Sequence, residues 1–168
     1  MISPDHVRLM ARYNAWQNRA LIAAAETLDD AARRTDRGGF WGGIQSTLIH
    51  VLWGDTMWMA RFDGWEKPAV GQKESPSMVT GWDAYTEARA DADARILDWA
   101  GRVEPGWLAE AQSWYSGSAG RQITQPRWAL VTHFFNHQTH HRGQVHAMLT
   151  AAGARPGDTD LFLMPEDG

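Results

Sequence analysis

The sequence contains no cysteine, which removes disulfides, thiolate metal ligands and a thiol nucleophile from its chemistry and fits a reducing compartment. It also lacks a long hydrophobic run. Apolar residues make up 43% of its 168 positions, yet no stretch approaches the roughly 20 consecutive apolar residues that span a bilayer. The N-terminus lacks the basic-then-apolar pattern of a signal peptide. Positive charge is in deficit as well, with 16 Lys and Arg against 20 Asp and Glu and a formal net charge of -4. Nucleic-acid binders displace counterions with clustered cations, and no such cluster exists here. HExxH, a glycine-rich phosphate loop and a GxSxG elbow are all missing, which excludes several hydrolase and nucleotide-binding readings. The expectation is a soluble cytoplasmic protein of one domain, residues 1–168, with neither nucleic acid nor membrane as partner.

What the chain does have is tryptophan, ten of them in 168 residues, spread through almost every segment from Trp16 to Trp128. Indoles carry large apolar areas and are enriched at interfaces, so core and subunit-contact packing is the expected role, ahead of a sugar-stacking surface.

Helical periodicity organises the chain. Ser3 followed by Pro4 reads as an N-cap with proline at the first helical position, and Met10, Tyr13, Gln17, Leu21, Ala24 and Leu28 extend that helix to about Leu28. Ile44, Leu48, Leu52, Met59 and Phe62 give a second helix over about Ile44 to Phe62. Pro68, Gly71 and Pro76 mark a crossover loop. Thr80 with Asp83 reads as a cap pair for a third helix, carried by Trp82, Tyr85, Arg89, Ala92, Ile96 and Trp99 to about Gly101. Leu108, Glu110, Gln112 and Trp114 alternate before a Gly/Ser turn and Arg121 to Thr124, which predicts a small β-hairpin. The last long helix starts at Pro126 and stops near Ala152, ahead of Gly153 and Pro156. The tail's Leu161-Phe162-Leu163-Met164 is expected to dock on the helices or on a partner subunit.

The last helix carries the chemistry, in the segment Asn136-His137-Gln138-Thr139-His140-His141-Arg142-Gly143-Gln144. Residues four apart on a helix stack on one face about 5–6 Å apart, so the nitrogens of His137 and His141 can converge on one cation at about 2.0–2.1 Å. His133 extends the same row by a turn, and on geometry alone a His133/His137 pair competes. His140, His146 and His6 are expected on the surface. A pair supplies two ligands only, and the candidate for the third is His50, whose ring would be costly to bury unpaired in the apolar second helix. Three imidazoles leave at least one coordination position open for water or substrate. Asp55, Asn136 and Gln144 are candidates to orient the ligand rings. Asp55 lies off the face of His50, so a structural pairing, for instance with Arg142, is the competing expectation.

The residues Tyr13-Asn14-Ala15-Trp16-Gln17-Asn18, Leu48-Ile49-His50-Val51-Leu52-Trp53-Gly54-Asp55 with Trp58, Arg61 and Phe62, the HxxxHRGQ motif from His137 to Gln144, and Gly157-Asp158-Thr159-Asp160-Leu161 resemble the DinB superfamily of DinB/YfiT-like metal-dependent proteins. The resemblance covers nearly the whole chain and is most specific at HxxxHRGQ. It implies an all-α fold, a four-helix bundle of up-down-down-up path that is frequently dimeric, with zinc or nickel held by three histidines. Carried over by motif, these are His50, His137 and His141. It further implies an enzyme that activates a low-molecular-weight thiol for transfer to an electrophile, with a metal-dependent hydrolase and a non-catalytic metal-binding stress-response protein as the alternatives. The motif marks no catalytic residue beyond the ligands.

Overall fold

A computed structural model describes residues 1–117 and 119–166. It is mostly helical with one two-stranded antiparallel sheet. Helix α1 spans Pro4–Glu26, and the Ser3 hydroxyl accepts the His6 N–H at 3.2 Å as its N-cap. It ends two residues before the expected Leu28, because the Thr27 N–H and hydroxyl both turn back onto the Ala24 carbonyl. A short α2, Asp30–Arg34, follows, capped by Asp29. Helix α3, Ile44–Phe62, has the expected bounds. Its N-cap, Gly43, has no room for a side chain, since a Cβ there would meet the Thr35 carbonyl oxygen at 2.7 Å; the end of α2 rests directly on the start of α3.

A single 3-10 turn, Ser75–Ser77, interrupts the crossover to α4, Trp82–Arg102. The Thr80/Asp83 cap does not form: Gly81, at φ +92°, occupies the cap position and turns the chain into the helix. Leu108 belongs to a short helix α5, Pro105–Ala109, rather than to the hairpin, since Pro105 is set at a helix start behind extended Glu104. The hairpin itself is present as β1, Ala111–Ser116, and β2, Arg121–Pro126, with Trp114 opposite Ile123. Pro126 closes β2 and serves as the N-cap residue of α6, Arg127–Ala151.

Helix α1 packs against α4 and α6, and α3 against α6 and α4. Leu21, Ile44, Leu48, Leu52, Ile96 and Leu149 are buried between them. Where the last turn of α3 meets α4, α5 and α6, Phe62, Trp99, Trp107 and Phe134 form an aromatic cluster with ring centroids 5.7–6.3 Å apart. All ten tryptophans are buried or half-buried, as a packing role requires.

A charged layer crosses this core. Arg89 of α4 is 1% exposed and pairs with Asp55 of α3, 0% exposed, at 2.5 Å; its second partner is Asp93 at 2.7 Å. Gln138 of α6 donates to Asp55 at 2.6 Å, and Asn18 of α1 donates to Asp93 at 2.9 Å. Four helices are therefore tied by one network of ion pairs and hydrogen bonds, whose charges survive burial because they are mutually compensated. Arg142 does not pair with Asp55: it lies over the Tyr13 ring, 5.6 Å from its centroid, and burial lowers its pKa to about 10. The tail is fastened to α1 through backbone carbonyls, with Tyr13 donating to Thr159 at 2.7 Å and Gln17 to Asp158 at 3.0 Å. Leu161, Phe162 and Leu163 are exposed rather than docked on the helices.

Candidate metal centre

Helices α3 and α6 run antiparallel along the site. His50 meets His137 and His141, Gly54 meets His137, and Trp58 meets His133. One histidine from α3 and an i, i+4 pair from α6 are thereby gathered into a cluster whose potential ligand atoms all lie within 4.8 Å of one another. The Nε2 atoms of His50 and His137 are 3.3 Å apart. Two nitrogens so separated, each about 2.05 Å from a shared cation, subtend about 107°, close to tetrahedral.

The remaining ring nitrogens fix which lone pairs face inward. Nδ1 of His141 is 2.8 Å from Oε1 of Gln144, an acceptor only, so Nδ1 carries the proton and Nε2 keeps its lone pair. Nδ1 of His50 is 2.8 Å from the Ser75 hydroxyl, which is able to accept its proton and leave Nε2 facing inward. The His50 ring is also held in plane by two nearly parallel indoles, Trp41 at 4.0 Å and Trp53 at 5.7 Å between centroids. Trp53 is in turn anchored by donation to the Val70 carbonyl at 2.9 Å.

The electrostatics favour neutral rings. Burial, then the proximity of His141 and His137, lowers the His50 pKa from 6.5 to about 3. Burial, then His141, His133 and His140, lowers His137 to about 4. Burial also lowers His141, against the hydrogen bond to Gln144. Three neutral imidazoles with converging nitrogens could hold a divalent metal ion.

Of the remaining sequence candidates, Gln144 does orient a cluster ring, Asn136 is exposed, and Asp55 is engaged by Arg89 and Gln138. His133 lies one turn from His137, 6.1 Å between centroids, packs on Trp58 at 5.2 Å and is not among the three histidines of the cluster. His140 is exposed, while His146 is half-buried beside the Gly157 carbonyl. Two contributors escaped the sequence reading. Ser75 sits 25 residues from His50 in a loop with no periodicity to flag it. Gly54, one turn after His50, is where the His137 ring packs: an added Cβ would lie 2.8 Å from its Cε1 and 3.2 Å from its Nδ1. A glycine in mid-helix, at a propensity cost of about 0.5–1 kcal/mol, was the available signal.

The DinB family model matches residues 3–167. Protein DinB of Bacillus subtilis (strain 168) is 23% identical over 167 residues, covering 95% of this chain and 93% of that protein. A match of this extent, spanning both histidine-bearing helices, establishes that the chain belongs to the DinB family.

Proposed function

We propose that His50, His137 and His141 bind one divalent cation, zinc or nickel, and that the protein is a metal-dependent enzyme transferring a low-molecular-weight thiol to an electrophile. The observation that carries this reading is the convergence of the histidines, with Nε2 of His50 and His137 3.3 Å apart and the Nδ1 atoms of His50 and His141 already committed to Ser75 and Gln144. When bound, the cation holds a thiol as its thiolate at neutral pH.

An external thiol suits the surroundings. The chain has no cysteine of its own, and the nearby carboxylate of Asp55 is spent on Arg89 and Gln138, where it cannot serve as a general base. A thiol held by the cation would need no base from the chain. The thiol proton leaves to solvent, a bond forms between sulfur and the electrophilic carbon, and the leaving group departs with its electron pair. The chain's part is positional: Ser75 and Gln144 orient two ligand rings, Gly54 gives His137 room, and the Asp55–Arg89–Gln138 network holds α3, α4 and α6 at fixed spacing behind the site. The up-down-down-up path of the long helices within one domain, and assembly as a homodimer, belong to the same reading.

The test is turnover of a thiol panel against an alkylating electrophile by the zinc- or nickel-loaded chain, beside His137→Ala checked for retained helicity. Loss of transfer in the folded variant supports the reading. Unchanged transfer overturns it, and strong stabilisation by metal with no turnover of any pair points to a structural ion.

A further inference from the structure

A second constellation lies further along the same two helices, with His133 one turn before His137 on α6 and Trp58 and Arg61 about two and three turns after His50 on α3. Arg61 stacks on Trp58 with its Cζ 4.6 Å from the ring centroid, and lies 5.9 Å from that of Trp114, which the β1–β2 hairpin brings in from above. Trp58 meets Trp114 at 5.7 Å and His133 at 5.2 Å, edge to face in both cases. Among the described residues the Arg61 guanidinium has no carboxylate or carbonyl partner. The neighbouring Asp63 is taken by Arg102 at 3.0 Å and by the Trp65 N–H at 3.1 Å. A stacked guanidinium keeps its N–H donors in the ring-parallel plane, free to grip a carboxylate with two hydrogen bonds. His133 is exposed and the other three side chains are half-buried, so the place is open to a ligand.

We propose that Arg61, His133 and the indole wall of Trp58 and Trp114 seat the carboxylate and adjoining apolar carbons of a small anionic ligand whose other end reaches the His50/His137/His141 cluster. The proposal rests on the metal-site reading for the far end of the ligand; the seat itself does not. His133, 6.1 Å from His137 between centroids, is the member of the seat that adjoins the cluster. Three bonds of about 1.5–1.8 Å between the carboxylate carbon and the metal-seeking atom span about 4–5 Å, and hydrogen bonds of about 2.8 Å at one end and a metal–sulfur distance of about 2.3 Å at the other extend the reach beyond that separation. A short mercaptocarboxylate has this form: thiolate toward the cluster, carboxylate on Arg61, methylenes on the indoles. The hairpin thereby gains a role, since β1 is the element that places Trp114 over Arg61.

The test uses the full chain and 3-mercaptopropionate, with 2-mercaptoethanol as the uncharged control. In metal-free protein labelled at its indole nitrogens, the carboxylate should shift the Trp58 and Trp114 N–H resonances, assigned through Trp58→Phe and Trp114→Phe, while the control leaves them in place. Arg61→Met should abolish the shifts and Arg61→Lys restore part of them, each checked for an unchanged circular dichroism spectrum. In the cobalt-loaded chain, the thiolate absorption band should appear with at least a tenfold lower Kd for 3-mercaptopropionate, a preference falling to near unity in Arg61→Met. Indole shifts absent in the wild type, or persisting in folded Arg61→Met, overturn the seat. Indole shifts lost with Arg61 but no cobalt band with either thiol leave the seat standing and overturn the metal–thiol reading instead.

Discussion

Gly54→Ala separates the metal centre from the fold more cleanly than removal of a ligand does. The added Cβ would sit 2.8 Å from Cε1 of His137 and 3.2 Å from its Nδ1, whereas carbon atoms in ordinary contact are about 3.5–4.0 Å apart. The ring must therefore retreat by about 0.7 Å or more. Metal–nitrogen distances tolerate about 0.2 Å, so the displacement is several times what the site can absorb. Disturbing the partners that orient a ligand costs about 10–100-fold in affinity, or about 1.4–2.7 kcal/mol, and a shift of the ligand itself should cost at least that. The effect on the helix has the opposite sign, because Ala in place of Gly in a helix interior gains about 0.5–1 kcal/mol. The expected result is a metal Kd raised at least tenfold in competition with a chromogenic chelator, while the melting temperature in EDTA stays level or rises. Gly143→Ala is the control: it lies on α6, and a Cβ there meets nothing within 4 Å. Gly54→Ala with wild-type affinity, or with an affinity loss matched by Gly143→Ala, would refute the packing argument.

Three further outcomes are expected. Ser75→Ala removes the hydrogen-bond partner of the His50 Nδ1 at 2.8 Å and should weaken metal binding about 10–100-fold in the same competition assay, with little change in apoprotein melting. Arg89→Met strands the buried Asp55 carboxylate beside Gln138; breaking a buried pair in this way costs about 3–5 kcal/mol, to be measured by urea denaturation, and a loss below 1 kcal/mol would show that the network does not hold the helices. The pH dependence of the metal-free chain follows from His50 and His137, lowered from 6.5 to about 3 and about 4. Between those values and 6.5 the unfolded chain binds more protons, so stability is complete above about 6.5 and is lost as pH falls toward 4. Melting temperatures from pH 7.5 to 4 should show this decline, and His50→Gln/His137→Gln should flatten it.

Periodicity and punctuation carried much of the fold. The apolar stripe of Ile44, Leu48, Leu52, Met59 and Phe62 was legible to the residue because it runs unbroken between Gly43 and Gly64. Helix ends decided by local backbone geometry were less so: the turn at Thr27 ended α1 two residues early, and the positive φ of Gly81 moved the cap of α4 by one residue. Leu108 shows the limit of alternation as a signal, since four apolar and polar residues in sequence fitted a strand until Pro105 imposed a helical turn. In the site, the histidine spacing was visible because His137 and His141 share one helix, and His50 stood out as a polar ring in an apolar stripe. Its supporting residues were hidden for the opposite reason. Ser75 reaches His50 across a crossover loop, and Asp55 finds Arg89 on another helix rather than Arg142; such pairings depend on how helices are arranged around one another, which no local pattern encodes. Docking of the tail was expected from its apolar patch, but its route through the carbonyls of Asp158 and Thr159, with Phe162 left outward, was invisible, because these acceptors are backbone atoms common to every residue.

The central claim is that these three histidines hold a metal ion. Elemental analysis of protein purified without an affinity tag, set beside a His50→Ala/His137→Ala variant, tests it most directly. The account predicts close to one zinc or nickel per chain, lost in the variant; metal retained by the variant, or none in either protein after reconstitution, would contradict it.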